Sequence, residues 1–259
     1  MDRAARRGCL VLYLVMATEE KNRRTAASVR AKARRVIADS WQSQANLSFF
    51  LVLLVLFSFV FPVLGFGRKD TNLYADAAFS LLLISGVAIA WGQRWLMLIA
   101  GFVCSACIAV RWMNLLTPST TLQVWSDAWS VAATLVISFV LLAQVFRPGR
   151  VSHSRIQGAI AVYLMFGAAW AHAYHLAAIL QPGSFNSTAN SLSSATDWIY
   201  YSFVTLTTVG YGDITAVRPI ARTLSIGEAL TGQLYLAVLI ARLVAMEVIA
   251  WQESKTSNS

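Results

Sequence analysis

The 259-residue chain is 57% hydrophobic and only 13% charged, where a soluble domain carries about 25% charged residues, so most of it is expected in lipid and a second soluble domain of ordinary size is excluded. The net charge of +9 gathers in the first 35 positions and at segment ends, which reads as topology determinants and anionic-lipid contacts rather than a nucleic-acid face. Three cysteines, Cys9, Cys104 and Cys107, are too few for a disulfide framework.

In chain order, Arg3, Arg6 and Arg7 precede a short apolar run, Gly8 to Ala17. The run resembles the start of a secretory signal but lacks a small-residue cleavage site, and Met16 is a second candidate start. Residues 20–46 carry Ala26, Val29, Ala33, Val36, Ile37 and Trp41 at helical spacing among Arg30, Lys32, Arg34 and Arg35. This basic amphipathic helix either lies on the membrane surface or is solvated on all sides. Residues 1–46 are therefore expected to be a cytoplasmic basic segment.

Six spans are expected next, each near the roughly 20 residues that cross a bilayer. They run Leu47 to Phe66 (with Pro62 inside), Tyr74 to Trp91, Trp95 to Met113, Val124 to Phe146, Ile156 to Leu180 and Thr223 to Ala250. Trp91, Trp95, Trp112 and Trp125 stand at ends, as interfacial aromatics do. Cys104 and Cys107 fall inside the third span, where their C-x-x-C spacing reads as small packing residues on a helix rather than a redox or metal site.

Between the fifth and sixth spans, Gln181 to Asp197 is rich in Ser, Asn and Thr and holds no Lys or Arg. Asn186-Ser187-Thr188 within it matches a glycosylation acceptor. A short amphipathic piece follows, Trp198 to Thr207, and then Thr208-Val209-Gly210-Tyr211-Gly212. Such a piece is expected to be re-entrant, which at membrane depth requires protein or water around it. With both termini in the cytoplasm, the inner side holds the N-terminal cluster, Arg94, Arg147, Arg150, Arg155, Arg242 and Lys255, and the outer side only Arg68, Lys69, Arg111, Arg218 and Arg222. That positive-inside bias puts the Gly-rich segment near the outer face.

The segment suits a cation that must exchange water for protein oxygen. Backbone carbonyls of Thr208, Val209, Gly210 and Tyr211, with the Thr208 hydroxyl, supply oxygens. The glycines permit backbone turns that other residues resist. Val209 and Tyr211 are expected to point into the supporting protein. One chain offers one wall, so four copies are needed for a closed ring. The short preceding helix would aim its negative C-terminal end at the axis.

Thr205-Leu206-Thr207-Thr208-Val209-Gly210-Tyr211-Gly212-Asp213 resembles the signature of the potassium-channel superfamily. Residues 156–250, a little over a third of the chain, resemble its outer helix, pore helix, filter and inner helix. The resemblance implies an all-α membrane protein, with six transmembrane helices and a re-entrant pore helix and selectivity filter between helices five and six. It divides the chain into a four-helix transmembrane domain (47–150) like an uncharged voltage-sensor domain, a pore domain (151–250) and a short cytoplasmic tail (251–259) that leaves no space for a regulatory domain. It implies passive potassium conduction by a homotetramer in a plasma or bacterial inner membrane, with potassium as the permeant ion, no cofactor, lipid as neighbour and no enzymatic activity. A less selective cation channel on the same scaffold, a regulatory subunit in mixed assemblies and a membrane enzyme or transporter are the competing readings.

By the same resemblance, Asp213 bonds to a pore-helix side chain behind the filter. Tyr200 and Val204 stand where simple bacterial members have Trp and Glu, which leaves only the Tyr200 hydroxyl to reach Asp213. Thr207, Tyr200, Asp213 and Glu228 are the expected supports. Glu228 is expected either to bond to the pore helix or to pair with Arg222. Gly232 lies at the distance of the family's hinge glycine, and is read as a hinge or as a point of close helix packing. Leu236, Ile240 and Val244 below it are expected to line an apolar cavity. The fourth span, Val124 to Phe146, holds no Arg or Lys, so no steep voltage sensor is expected. Asp76, Asp127 and Arg111 are expected to form one structural cluster among the first four helices. His172 and His175, at i, i+3 spacing, are read as a polar contact or as two ligands of a metal lacking a third.

Overall fold

The computed structural model describes residues 45–60, 71–89, 94–146, 152–188, 192 and 194–257. The chain divides into two units, Met1–Ala45 and Asn46–Ser259. The expected basic helix of residues 20–46, Cys9, Met16, Pro62 and the cations Arg68, Lys69, Arg147 and Arg150 lie outside the described residues.

Seven helices carry the described chain: α1 (Ala45–Val60), α2 (Thr71–Ile89), α3 (Arg94–Leu116), α4 (Thr120–Val145), α5 (His153–Leu180), α6 (Ala195–Leu206) and α7 (Pro219–Ser257). The last turn of α1, Leu56–Val60, widens to a π-helix. Four helices are long and apolar enough to cross a membrane, over Trp95–Leu116, Thr120–Val145, His153–Leu180 and Pro219–Ile249. At a rise of 1.5 Å per residue these are about 33 to 46 Å long, against roughly 30 Å of hydrocarbon. Within the described residues, the apolar helices Ala45–Val60 and Leu73–Ile89 are shorter than a span, and the first two expected spans run on into residues 61–70 and 90–93.

Helix ends follow local chemistry. Ser119 caps α4 by accepting from the Leu122 amide, which starts the helix at Thr120 rather than Val124. Pro219 opens α7 at the position where its missing N–H costs nothing. The helix then runs unbroken past Ala250 to Ser257, so most of the expected tail is helical.

α4 lies along α5, and α3 along α4. The core between them holds Phe50, Leu54, Phe79, Leu82, Leu83, Ile137, Leu141 and Met165. Cys104 and Cys107 are free and buried within it. The buried face of α5 is rich in small residues, among them Ala161, Ala168, Ala169 and Ala171, which lets neighbouring helices approach closely. At Gly167 the approach is so close that an added Cβ would sit 2.7 Å from the Phe203 ring of α6.

Polar groups tie the helices in two places. Arg111 of α3 pairs with Asp76 of α2 at 2.6 Å, donates to Ser130 of α4 at 2.9 Å and lies over the Phe79 ring. Asp127 is not part of this group, contrary to the expected three-residue cluster. It sits one turn away on α4 and faces α5 instead. Its Oδ1 is 3.3 Å from His172 Nδ1, and its Oδ2 is 2.7 Å from His175 Nδ1, an ion-pair distance without hydrogen-bond geometry. The i, i+3 spacing puts both imidazoles on the face of α5 that meets α4. Among the described residues no group of three His, Cys, Asp or Glu is arranged to hold a metal.

Candidate functional site

The segment after α5 turns at Gly183 (φ 80) and forms β1 (Phe185–Ser187), which pairs antiparallel with β2 (Ile214–Ala216). Between these strands lie α6 and residues 207–213. α6 begins inside the polar stretch, at Ala195, with a capping box: the Ser194 hydroxyl accepts from the Asp197 amide, and the Asp197 carboxylate accepts from the Ser194 amide. An aromatic group fixes α6 against α5, with Tyr174, Phe185, Trp198 and Tyr201 rings 4.8 to 5.6 Å apart at steep angles.

Thr207 caps the C-terminal end of α6, and its hydroxyl donates to the Phe203 carbonyl at 2.6 Å. Beyond it, φ is positive at every second residue: Thr208 (59), Gly210 (58) and Gly212 (83). The first amides of the segment turn back to α6. Thr208 N–H donates to Thr205 O at 2.9 Å, and Val209 and Gly210 both donate to Val204 O, at 3.0 and 3.3 Å. In a trans peptide the carbonyl points opposite its N–H, and no peptide here is cis. The carbonyls of Thr207, Thr208 and Val209 therefore all point away from α6, on one side of the backbone. An ordinary strand would alternate them. The sign change in φ from residue to residue lines them up.

The C-terminal end of the segment is held by the same chain. Asp213 O accepts from the Thr188 amide at 2.9 Å, and Val217 N–H donates to Ser184 O at 2.8 Å. The Tyr200 phenol of α6 is coupled to Asp213: hydrogen bonding toward that carboxylate chiefly, with burial and the charge of Asp213 adding, pushes the phenol above its ordinary pKa.

Behind the segment Glu228 of α7 is fully buried. It accepts from Tyr174 of α5, and from Ser202 of α6 at 2.5 Å. Ser202 Oγ also lies 2.7 Å from the Gly167 carbonyl. Of the two expectations for Glu228 the bond to α6 is the one present; Arg222 instead donates to Ala216 O at 3.3 Å. Reaching Glu228 would require that guanidinium to leave a carbonyl beside the strand pair for a dry site.

Gly232 is buried where α7 crosses the end of α6. An added Cβ would lie 2.2 Å from the Leu206 carbonyl oxygen. Of its two readings, close packing is what the geometry displays, within a helix that continues through it. One residue on, Gln233 Nε2 donates to Thr208 Oγ1 at 3.2 Å. Gln233, Tyr174 and Ser202 went unrecognised from sequence; their one signal is a polar group on an otherwise apolar stretch. Leu236, Ile240 and Val244 are all exposed on α7. Val209 and Tyr211 are 53% and 72% exposed. Within a single chain neither side chain packs into supporting protein.

Residues 159–248 match a protein family described as ion channel. The chain is 39% identical over 64 residues to two pore potassium channel c of Oryza sativa subsp. japonica, which covers 25% of this chain and 14% of that protein. It is 41% identical over 66 residues to protein LctB of Geobacillus stearothermophilus, and 37% over 67 residues to protein LctB of Bacillus caldotenax. Each of these covers 26% of this chain and about half of the relative, 48% and 49%. No solved structure matches the chain.

Proposed function

We propose that this chain, a member of the potassium-channel superfamily whose residues 159–248 match an ion-channel family, conducts potassium passively across a membrane through a filter made of residues 208–212 from four copies. The observation that carries this is the row of Thr207, Thr208 and Val209 carbonyls turned to one side by amides bonded back to α6. A row of fixed carbonyl dipoles replaces the hydration shell of a cation. The carbonyl end of α6, facing the same region, adds negative potential.

Four copies account for the surfaces a single chain leaves open. Val209 and Tyr211 then meet a neighbouring chain. α7, exposed along Ile226, Leu230, Leu234 and Val238 as well as along Leu236, Ile240 and Val244, divides its surface between neighbouring chains and the inner cavity. On this reading Tyr200–Asp213 and Tyr174–Glu228–Ser202 hold the filter from behind. The protein is multi-pass, and both termini belong in the cytoplasm of a plasma or bacterial inner membrane. α4 has no Lys or Arg between Thr120 and Val145. Each charge crossing the field would supply about 2.3 kcal/mol per 100 mV, so opening is not steeply voltage-dependent.

Reconstitution of the purified protein tests this. Reversal potentials in opposed potassium and sodium gradients should follow potassium. A reversal that ignores the potassium gradient refutes the proposal, and one midway between the two ions identifies the less selective cation channel.

A further inference from the structure

Gln233 has no part in the conduction reading, yet its side chain reaches the filter segment. The contact is built by its neighbour. Gly232 lets α7 close onto the Leu206 carbonyl, and the next residue of α7 then meets the residue two beyond Leu206. Thr208 is itself tightly constrained. It is the one non-glycine residue with positive φ among the described residues, at 59°, and a β-branched side chain has few rotamers to choose from. Its hydroxyl stays where the Gln233 amide finds it, at 3.2 Å.

A threonine hydroxyl has one proton and two lone pairs. The Gln233 amide occupies one lone pair, which leaves one for a cation. It also brings the positive end of an amide dipole to the place where an ion entering from the cytoplasmic side first exchanges water for protein oxygen. Gln233 is exposed in the single chain, as a group facing the pore axis has to be. The penalty of a nearby positive dipole grows with the charge of the ion, so it falls most heavily on divalent cations.

We infer that Gln233 is a positioning residue for the innermost cation site: its amide holds the Thr208 hydroxyl and weakens the binding of divalent cations that enter from the cytoplasmic side. This rests on the reading of residues 208–212 as a potassium filter.

The test uses the full-length channel in planar bilayers, with barium ion alone as the probe on the cytoplasmic side. Gln233→Met keeps the length of the side chain and removes the donor. Its barium dissociation constant should fall by about 2- to 10-fold, the equivalent of one net hydrogen bond. Gln233→Leu also lacks the donor and adds no charge, so block should tighten there as well, and it provides the reading if the Met variant does not assemble. In a Thr208→Ala background Gln233→Met should have no further effect, because the residue acts through the hydroxyl. Unchanged block in both variants with potassium reversal intact, or equal effects with and without the Thr208 hydroxyl, overturns the inference and leaves the filter reading standing. Loss of potassium selectivity in the unmodified protein would instead remove the reading on which the inference rests.

Discussion

Gly232→Ala should destabilise this protein, although alanine is the better helix former. The new Cβ would lie 2.2 Å from the Leu206 carbonyl oxygen, 3.1 Å from its Cδ1 and 3.2 Å from its carbonyl carbon. A carbon–oxygen contact relaxes to about 3.3 Å, so α7 or the end of α6 must withdraw by about 1 Å. The obstructing atom is backbone, at a helix end already held by its own bonds, so it cannot swing aside. Helix propensity favours alanine by roughly 1 kcal/mol. Overpacking costs about 1–3 kcal/mol and occasionally more, and a rigid backbone neighbour belongs at the upper end. The net loss is about 2 kcal/mol, or a Tm lower by about 4–8 °C for a chain of this size. Thermal unfolding in detergent measures it, and potassium flux from vesicles follows the displaced filter. Gly101→Ala on α3 is the control: a Cβ there meets nothing within 4 Å, so stability should hold or rise. A Gly232→Ala protein with raised stability and slowed flux would refute the steric argument and restore the hinge.

Glu228→Ala removes the acceptor of the buried Tyr174 hydroxyl, whereas Ser202 keeps the Gly167 carbonyl; the expected loss is about 1–3 kcal/mol, less for Glu228→Gln, and unfolding midpoints that do not separate the two variants would contradict it. Tyr200→Phe should loosen the filter, seen as lower potassium–sodium selectivity or faster inactivation. The bond to Asp213 favours the protonated phenol and raises its pKa above 10.0, so its contribution is complete below that value and lost only as pH rises through the raised one. The difference between Tyr200→Phe and the unmodified protein should thus stay constant from about pH 7 to about pH 9, and a difference that vanishes within that window would be inconsistent with this bond. Arg111→Met strands the Asp76 carboxylate, costing about 3–5 kcal/mol, while pairing it with Asp76→Leu recovers most of the loss; a single variant as stable as the unmodified protein in thermal unfolding would show the pair contributes nothing.

Long apolar runs and the nonapeptide from Thr205 to Asp213 were readable directly, because each is written in consecutive residues. Helix starts were less visible where polar caps disguise them. Ser194 and Asp197 begin α6 inside a stretch whose composition reads as loop. Arg222 made α7 seem to start at Thr223, although Pro219 already marks its first turn. The partners of buried polar groups were least legible. Nothing local distinguishes Asp127 meeting His172 and His175 from Asp127 meeting Arg111, since helix rotation and offset decide it. The surroundings of Val209 and Tyr211 are not encoded within one chain's contacts at all.

The strand pair β1–β2 sets Phe185 beside Ala216 and Ser187 beside Ile214, so the whole excursion through α6 and residues 207–213 departs and returns through one narrow neck. Such an excursion is modular. Loop closure depends only weakly on length, at about 0.6 kcal/mol per doubling, so once the neck is formed, residues can be added to the excursion or exchanged within it while α5 and α7 keep their positions. On the proposed function, two membrane helices joined by this neck can therefore carry altered filters as interchangeable inserts, without rebuilding the walls that hold them.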